Sequence, residues 1–164
     1  MPGAGKSTVG ILLAKELAKA FVDTDLLIQT REGKTLQDIV DDHGYQALRH
    51  IEEEVLLASR FLNHIIATGG SAVYSEPGMT HLKQSGRVVF LDVPLEELER
   101  RVVNLSSRGL ACPPGQSLSE LYDERRSLYQ QYADIVIDCG TKGQEDVVAE
   151  IIYREAGQFA DMDA

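Results

Sequence analysis

Gly3-Ala4-Gly5-Lys6-Ser7-Thr8 is the stretch of this chain best suited to chemistry. Glycines let backbone N–H groups wrap phosphate oxygens without Cβ clashes. Lys6 has the reach for the β- and γ-phosphates of a nucleotide. The Ser7 hydroxyl suits a magnesium ion, and the start of the following helix adds positive potential. A glycine-rich turn that only caps a helix is the plainer alternative. The intact Gly-Lys-Ser-Thr and the amphipathic stretch behind it favour the phosphate loop. A second concentration of chemistry lies further on. Five of the ten arginines (Arg100, Arg101, Arg108, Arg125 and Arg126) fall between positions 100 and 126, where no lysine occurs. An acidic chain that gathers arginine in one segment is expected to use it on an anionic ligand.

These residues need elements to hold them. Ala20–Asp23, His64–Thr68, Arg87–Asp92 and Ala133–Asp138 are short apolar runs that read as buried strands. Between them, Val9, Leu12, Leu13 and Leu17 form one helical stripe, and Leu48, Ile51, Val55 and Leu56 another. Pro94, followed by Glu96 and Glu97, is placed at a first helical position. Ser117-Leu118-Ser119-Glu120 is a capping box, and Val147, Ile151 and Ile152 pattern a last helix. Order is expected to be lost from Gly157. Alternating strands and helices imply an α/β fold with a parallel sheet, binding ligands beyond the carboxyl ends of its strands. The runs ending at Asp23, at Thr68-Gly69-Gly70 and at Asp92 put polar groups there.

Composition narrows the function. The chain has 164 residues, 16 basic and 26 acidic, for a net charge of −10. That length fits one domain, 1–164. The acidity disfavours nucleic acid and anionic membranes as partners, since both attract basic surfaces. No apolar run approaches the length of a membrane span, and the start lacks a signal-peptide layout. Cys112 and Cys139 have neither paired nor zinc-ligand spacing. A cytoplasmic, monomeric enzyme or binding domain is expected. The complete phosphate-loop pattern also asks for a glycine just before Met1 and an apolar strand ahead of it. Neither is in the sequence, which reads as a start assigned late. The absent strand would leave ladder groups unpaired on two neighbours, so the chain as written is expected to fold poorly.

With the phosphate loop, Phe21-Val22-Asp23-Thr24-Asp25 and the helix around Arg49 taken together and in order, the chain resembles the shikimate kinases from Met1 to about Ile152. The resemblance implies a three-layer P-loop kinase fold with a parallel sheet in the order 2-3-1-4-5, here without its first strand, and a mobile lid at about 104–117. It implies transfer of the ATP γ-phosphoryl to the 3-hydroxyl of shikimate, with Mg2+. Asp23 is then the acid that supports magnesium through water, beside Ser7. Asp25 is the acceptor for substrate hydroxyls, unless it merely caps the next helix. Arg49 and Arg125 clamp the substrate carboxylate, as paired guanidinium donors can. Gly69 and Gly70 bring backbone N–H groups to the substrate. Arg101 stacks on adenine, and Arg108 is the lid arginine that closes on the transferring phosphates. The catalytic set is thus Lys6, Asp25 and Arg108, with Gly3, Ala4, Gly5, Ser7, Thr8 and Arg101 completing the ATP site.

Departures from the family pattern accompany this match. Leu48 replaces an aromatic, Ser71 a third glycine and Ser127 a proline. The lid, usually Arg-Pro-Leu-Leu, reads Arg108-Gly109-Leu110-Ala111. They leave open a kinase of the same fold acting on another hydroxy acid or sugar, or a silent ATP-binding module. Arg49 has a bland alternative, a surface pair with Glu52 or Glu53 on its own helix. Arg100 and Arg126 are the arginines best read as solvated helix charges.

Overall fold

The protein is described from a computed structural model at residues 1–102 and 109–160; Arg108 lies outside these residues. Helix α1 (Lys6–Glu16) follows the glycine-rich loop and leads to β1 (Ala20–Asp23). Three helices come next: α2 (Thr24–Glu32), α3 (Leu36–His43) and α4 (Tyr45–Ala58). Strand β2 (His64–Ala67), a 3-10 turn (Ala72–Tyr74) and α5 (Glu76–Ser85) precede β3 (Val89–Asp92) and α6 (Leu95–Arg101). The chain closes with α7 (Leu118–Tyr132), β4 (Ile135–Asp138) and α8 (Gln144–Ala160).

The four strands occur where the apolar runs placed them, the first with the same bounds and the other three trimmed to four residues. β1 lies parallel to β2, with Asp23 opposite Ala67, and β3 lies parallel to β4, with Asp92 opposite Asp138. Among the described residues these are two separate two-stranded sheets. Their carboxyl ends carry Asp23, the Thr68-Gly69-Gly70 turn, Asp92 and Asp138.

Local chemistry explains the helix boundaries. Gly5 enters α1 with a φ of 84°, in the left-handed region that a glycine adopts without steric cost. Asp23 caps α2 by accepting from the Asp25 N–H. The capping box at Ser117 and Glu120 is present, and Thr35 with Asp38 makes another at α3 that the sequence reading did not identify. Pro94 is corrected by one position. It stands at the N-cap, and α6 begins at Leu95. α8 runs past Gly157, where order was expected to end, to Ala160.

The core has three parts. The largest joins Val9 and Leu13 of α1 to Leu91, Leu98, Leu121, Ile137 and Ile151. A second gathers Ile28, Ile39, Leu48, Val55 and Ala111. A third holds Leu56, Ala72, Val73 and Met79. A fully buried aliphatic side chain contributes about 1.5–3 kcal/mol, so these clusters fix where α1, α4 and α7 present their polar faces.

Candidate active site

The phosphate loop and the end of β1 meet at the mouth of a cavity of about 280 Å³. It opens on Gly3, Gly5, Lys6, Ser7, Thr8, Asp23, Asp25, Gly70 and Arg125. Gly3 and Gly5 both have positive φ (76° and 84°), which turns the loop sharply. The Lys6 ammonium donates to the Met1 carbonyl at 3.0 Å. Burial holds its pKa below the usual lysine value, against the pull of Asp25 and Asp23. Among the described residues this buried ammonium bonds only to a neutral carbonyl, which leaves it well placed to accept an anion.

Ser7 Oγ donates to Asp23 Oδ2 at 2.5 Å. The other Asp23 oxygen accepts from the Asp25 N–H at 2.9 Å. Asp23 therefore performs the capping role that was the alternative for Asp25, and Asp25 is left to face the cavity. Burial, then the neighbouring Asp23, raises the Asp25 pKa, while Lys6 lowers it. Among the described residues no three His, Cys, Asp or Glu side chains cluster tightly enough to hold a metal. A hydroxyl beside a single carboxylate fits magnesium, which keeps several waters and takes few protein ligands.

Gly69 and Gly70 are glycines for steric reasons. A β-carbon on Gly69 would lie 2.6 Å from Asp25 Oδ1 and closer still to Glu52 Oε1. One on Gly70 would lie 2.9 Å from Arg125 Nη1. The turn is fixed by the Gly69 N–H donating to Thr24 Oγ1 at 3.0 Å, and by the Tyr129 hydroxyl donating to the Gly70 carbonyl at 2.6 Å. Ser71, in place of a third glycine, donates its hydroxyl to Glu52 Oε2.

Arg49 and Arg125 are brought together from α4 and α7. Arg49 Nε and Arg125 Nη2 both donate to the Ala111 carbonyl, each at 3.0 Å. Tyr74 lies beneath both. The Arg49 guanidinium carbon is 3.6 Å from its ring centroid and that of Arg125 5.2 Å. Such stacking is attractive because the ring face is electron-rich. Arg125 is only 1% exposed, which makes its lack of a carboxylate partner notable. Among the described residues neither arginine is ion-paired, and Arg49 Nη2 is buried with no partner at all. The expected alternative, a pair between Arg49 and Glu52 or Glu53, does not form.

Arg126, read from the sequence as a solvated helix charge, is instead tied to the end of β3, while Arg100 stays exposed on its own helix. Arg126 grips Asp92 with two nitrogens, at 2.7 and 3.2 Å, and Arg100 pairs with Glu97. Arg101 pairs with Glu97 as well, but also lines a second cavity of about 170 Å³ with Gly3, Ala4, Gly5, Cys139 and Lys142. That cavity adjoins the phosphate loop. Burial pushes the Cys139 thiol up to about 11, which suits packing, not nucleophilic chemistry.

Three participants had no signal in the sequence pattern. Tyr74 follows the glycine turn with no spacing that ties it to Arg49 or Arg125. Ala111 acts through its backbone. Glu52 sits on a helix among three consecutive acids and reads there as solvent-facing, yet it is 3% exposed, and burial pushes its pKa up to about 7. Leu48, which replaces an aromatic of the family pattern, packs in the core beside Ala111.

Comparison with known proteins gives one consistent result. The family model described as shikimate kinase matches residues 2–155. A shikimate kinase of Persephonella marina is 37% identical over 155 residues, covering 93% of each chain. One from Aquifex aeolicus is also 37% identical, covering 94% of this chain and 91% of its own. Among solved structures, a shikimate kinase from Acinetobacter baumannii in complex with shikimate superposes with a TM-score of 0.85 at 31% identity. That match covers 95% of this chain and 89% of that one.

Proposed function

We propose a residue-level mechanism on the premise that this chain belongs to the shikimate kinase family, ATP-dependent phosphotransferases acting on a hydroxyl group. In this mechanism the chain transfers the ATP γ-phosphoryl to the 3-hydroxyl of shikimate. The observation that carries the reading is the convergence of Arg49 and Arg125, without carboxylate partners among the described residues, next to a phosphate loop. A buried and a half-buried guanidinium side by side call for an anion, and a substrate carboxylate supplies two acceptor oxygens.

Lys6 and the loop N–H groups take the β- and γ-phosphates. Ser7 and Asp23 hold magnesium, which supplies charge neutralisation at the phosphates when bound. Arg101 lines the side where adenine stacks. Arg49 and Arg125 fix the substrate by its carboxylate, and Gly69 and Gly70 allow it to approach the backbone. Asp25 accepts the hydroxyl hydrogen bond and orients that oxygen toward the γ-phosphorus. Its raised pKa suits it to take the proton as the new P–O bond forms and ADP leaves. Phosphoryl transfer passes through a loose transition state, so this positioning matters more than a strong base. Arg108, outside the described residues, is assigned to the transferring phosphoryl by its place in the family pattern alone.

We further propose a single domain over 1–164 with a lid at about 104–117, acting as a cytoplasmic monomer that does not bind nucleic acid. The net charge of −10 supports the last point. Among the described residues no helix is long and apolar enough to cross a membrane. Phosphorus NMR of a mixture of protein, Mg-ATP and shikimate tests the assignment. A new phosphomonoester signal coupled to the C3 proton is expected. ADP formed with inorganic phosphate as its only partner would contradict it.

A further inference from the structure

Gly109 stands where the family's lid usually carries proline. Its φ is +56°, which proline cannot reach because its ring holds φ near −65°. Its N–H donates to Gln37 Oε1 at 2.7 Å, a bond that proline also could not make. A β-carbon here would collide with the backbone at the start of α3, 2.5 Å from the Leu36 carbonyl carbon. The glycine thus lets the strap Gly109-Leu110-Ala111 lie directly on α3. Two residues later the Ala111 side chain is buried among Ile28, Ile39, Leu48 and Val55. Its carbonyl is then aimed between Arg49 and Arg125.

Two guanidiniums brought this close repel each other. One carbonyl dipole between them, accepting from both, offsets that repulsion and sets their angle. It uses only Arg49 Nε and Arg125 Nη2. Arg49 Nη2 remains buried without a partner, and Arg125 Nη1 lies against Gly70, facing the substrate side.

We propose that the strap is a positioning element for the carboxylate clamp: docked through Gly109 on α3, it uses the Ala111 carbonyl to hold Arg49 and Arg125 converged for the substrate carboxylate. The proposal rests on the clamp reading given above. It differs from a self-ligand that substrate must displace, because that role predicts the opposite change in affinity when the strap is loosened.

The test is equilibrium titration of shikimate and of its methyl ester, in which the carboxylate is masked, against the natural chain, Gly109→Ala and Gln37→Ala. Gly109→Ala strains the strap. Gln37→Ala removes the acceptor of the Gly109 N–H together with an exposed bond to Asp41 on the same helix, and it leaves the strap backbone unstrained, so it keeps the question answerable if the first variant does not fold. Both variants are expected to bind shikimate roughly tenfold more weakly, the scale of one charge-assisted hydrogen bond. Ester binding should be unchanged. Unchanged or tighter shikimate binding in folded variants would overturn the proposal. So would an equal loss for the ester, which marks a merely structural role. If the natural chain itself fails to prefer shikimate to the ester, the clamp reading falls, and this inference with it.

Discussion

Ser71 donates its hydroxyl to one carboxyl oxygen of Glu52, and the other oxygen of that buried group has no hydrogen-bond partner among the described residues and shares the space beside Gly69 with Asp25. An acid in this setting prefers its neutral form. Burial is the main cause, and Asp25 adds to it. The Ser71 hydrogen bond, Arg125 and Lys6 oppose it, leaving a pKa of about 7.

Glu52 therefore makes stability depend on pH in a definite direction. Its folded pKa lies above the unfolded value of 4.5. Below that value both states are protonated and no penalty arises. As pH rises from about 4.5 to 7 the folded state must hold a proton or ionise a buried acid, and stability is lost, on the order of 3 kcal/mol. Glu52→Gln should melt higher than the natural chain at pH 8 and equally at pH 4.5. Melting curves at the two pH values check this; a difference of the same size at both would refute it.

Arg49→Lys keeps the charge but loses the planar fork and the close stack on Tyr74. KM for shikimate should rise by one to two orders of magnitude, consistent with losing one charged hydrogen bond of about 1.5–3 kcal/mol. KM for ATP should stay within about twofold, since Arg49 is remote in role from the phosphate loop. Steady-state kinetics with each substrate varied in turn separates the two.

At Gly70, any side chain presses on Arg125. Gly70→Ala places a methyl 2.9 Å from Nη1 and should displace the guanidinium. Overpacking of this kind costs about 1–3 kcal/mol. Weaker shikimate binding with ATP binding intact is the expected outcome, readable by calorimetry with each ligand alone.

The two parallel strand pairs bear on stability. Each is only two strands wide among the described residues, and sheets this narrow are marginal by themselves. The 164-residue chain is expected to melt early and over a broad range. A cooperative transition at high temperature in a calorimetric scan would show that the helices alone suffice.

Much of this was legible in the sequence for local reasons. The phosphate loop, the acids at the end of β1 and the capping box at Ser117 depend on neighbouring residues, so spacing reveals them. Arg49 and Arg125 could be named by family pattern, but their meeting at Ala111 could not, because it spans 62 and 14 residues and ends on a backbone carbonyl. Glu52 was hidden by its company, since Glu53 and Glu54 suggest a solvated face. Only packing against Ser71 and Gly69 shows otherwise. Pro94 fell one position away, within the one or two residues by which a helix boundary shifts with the closing geometry of its first turn.

ADP release from Mg-ATP, measured with and without shikimate, separates a shikimate-dependent kinase from a chain that only binds nucleotide. ADP formation that depends on shikimate, and that Arg49→Lys restores only at much higher shikimate, is the predicted result. A folded chain that binds ATP yet releases ADP at the same rate whether or not shikimate is present would contradict it.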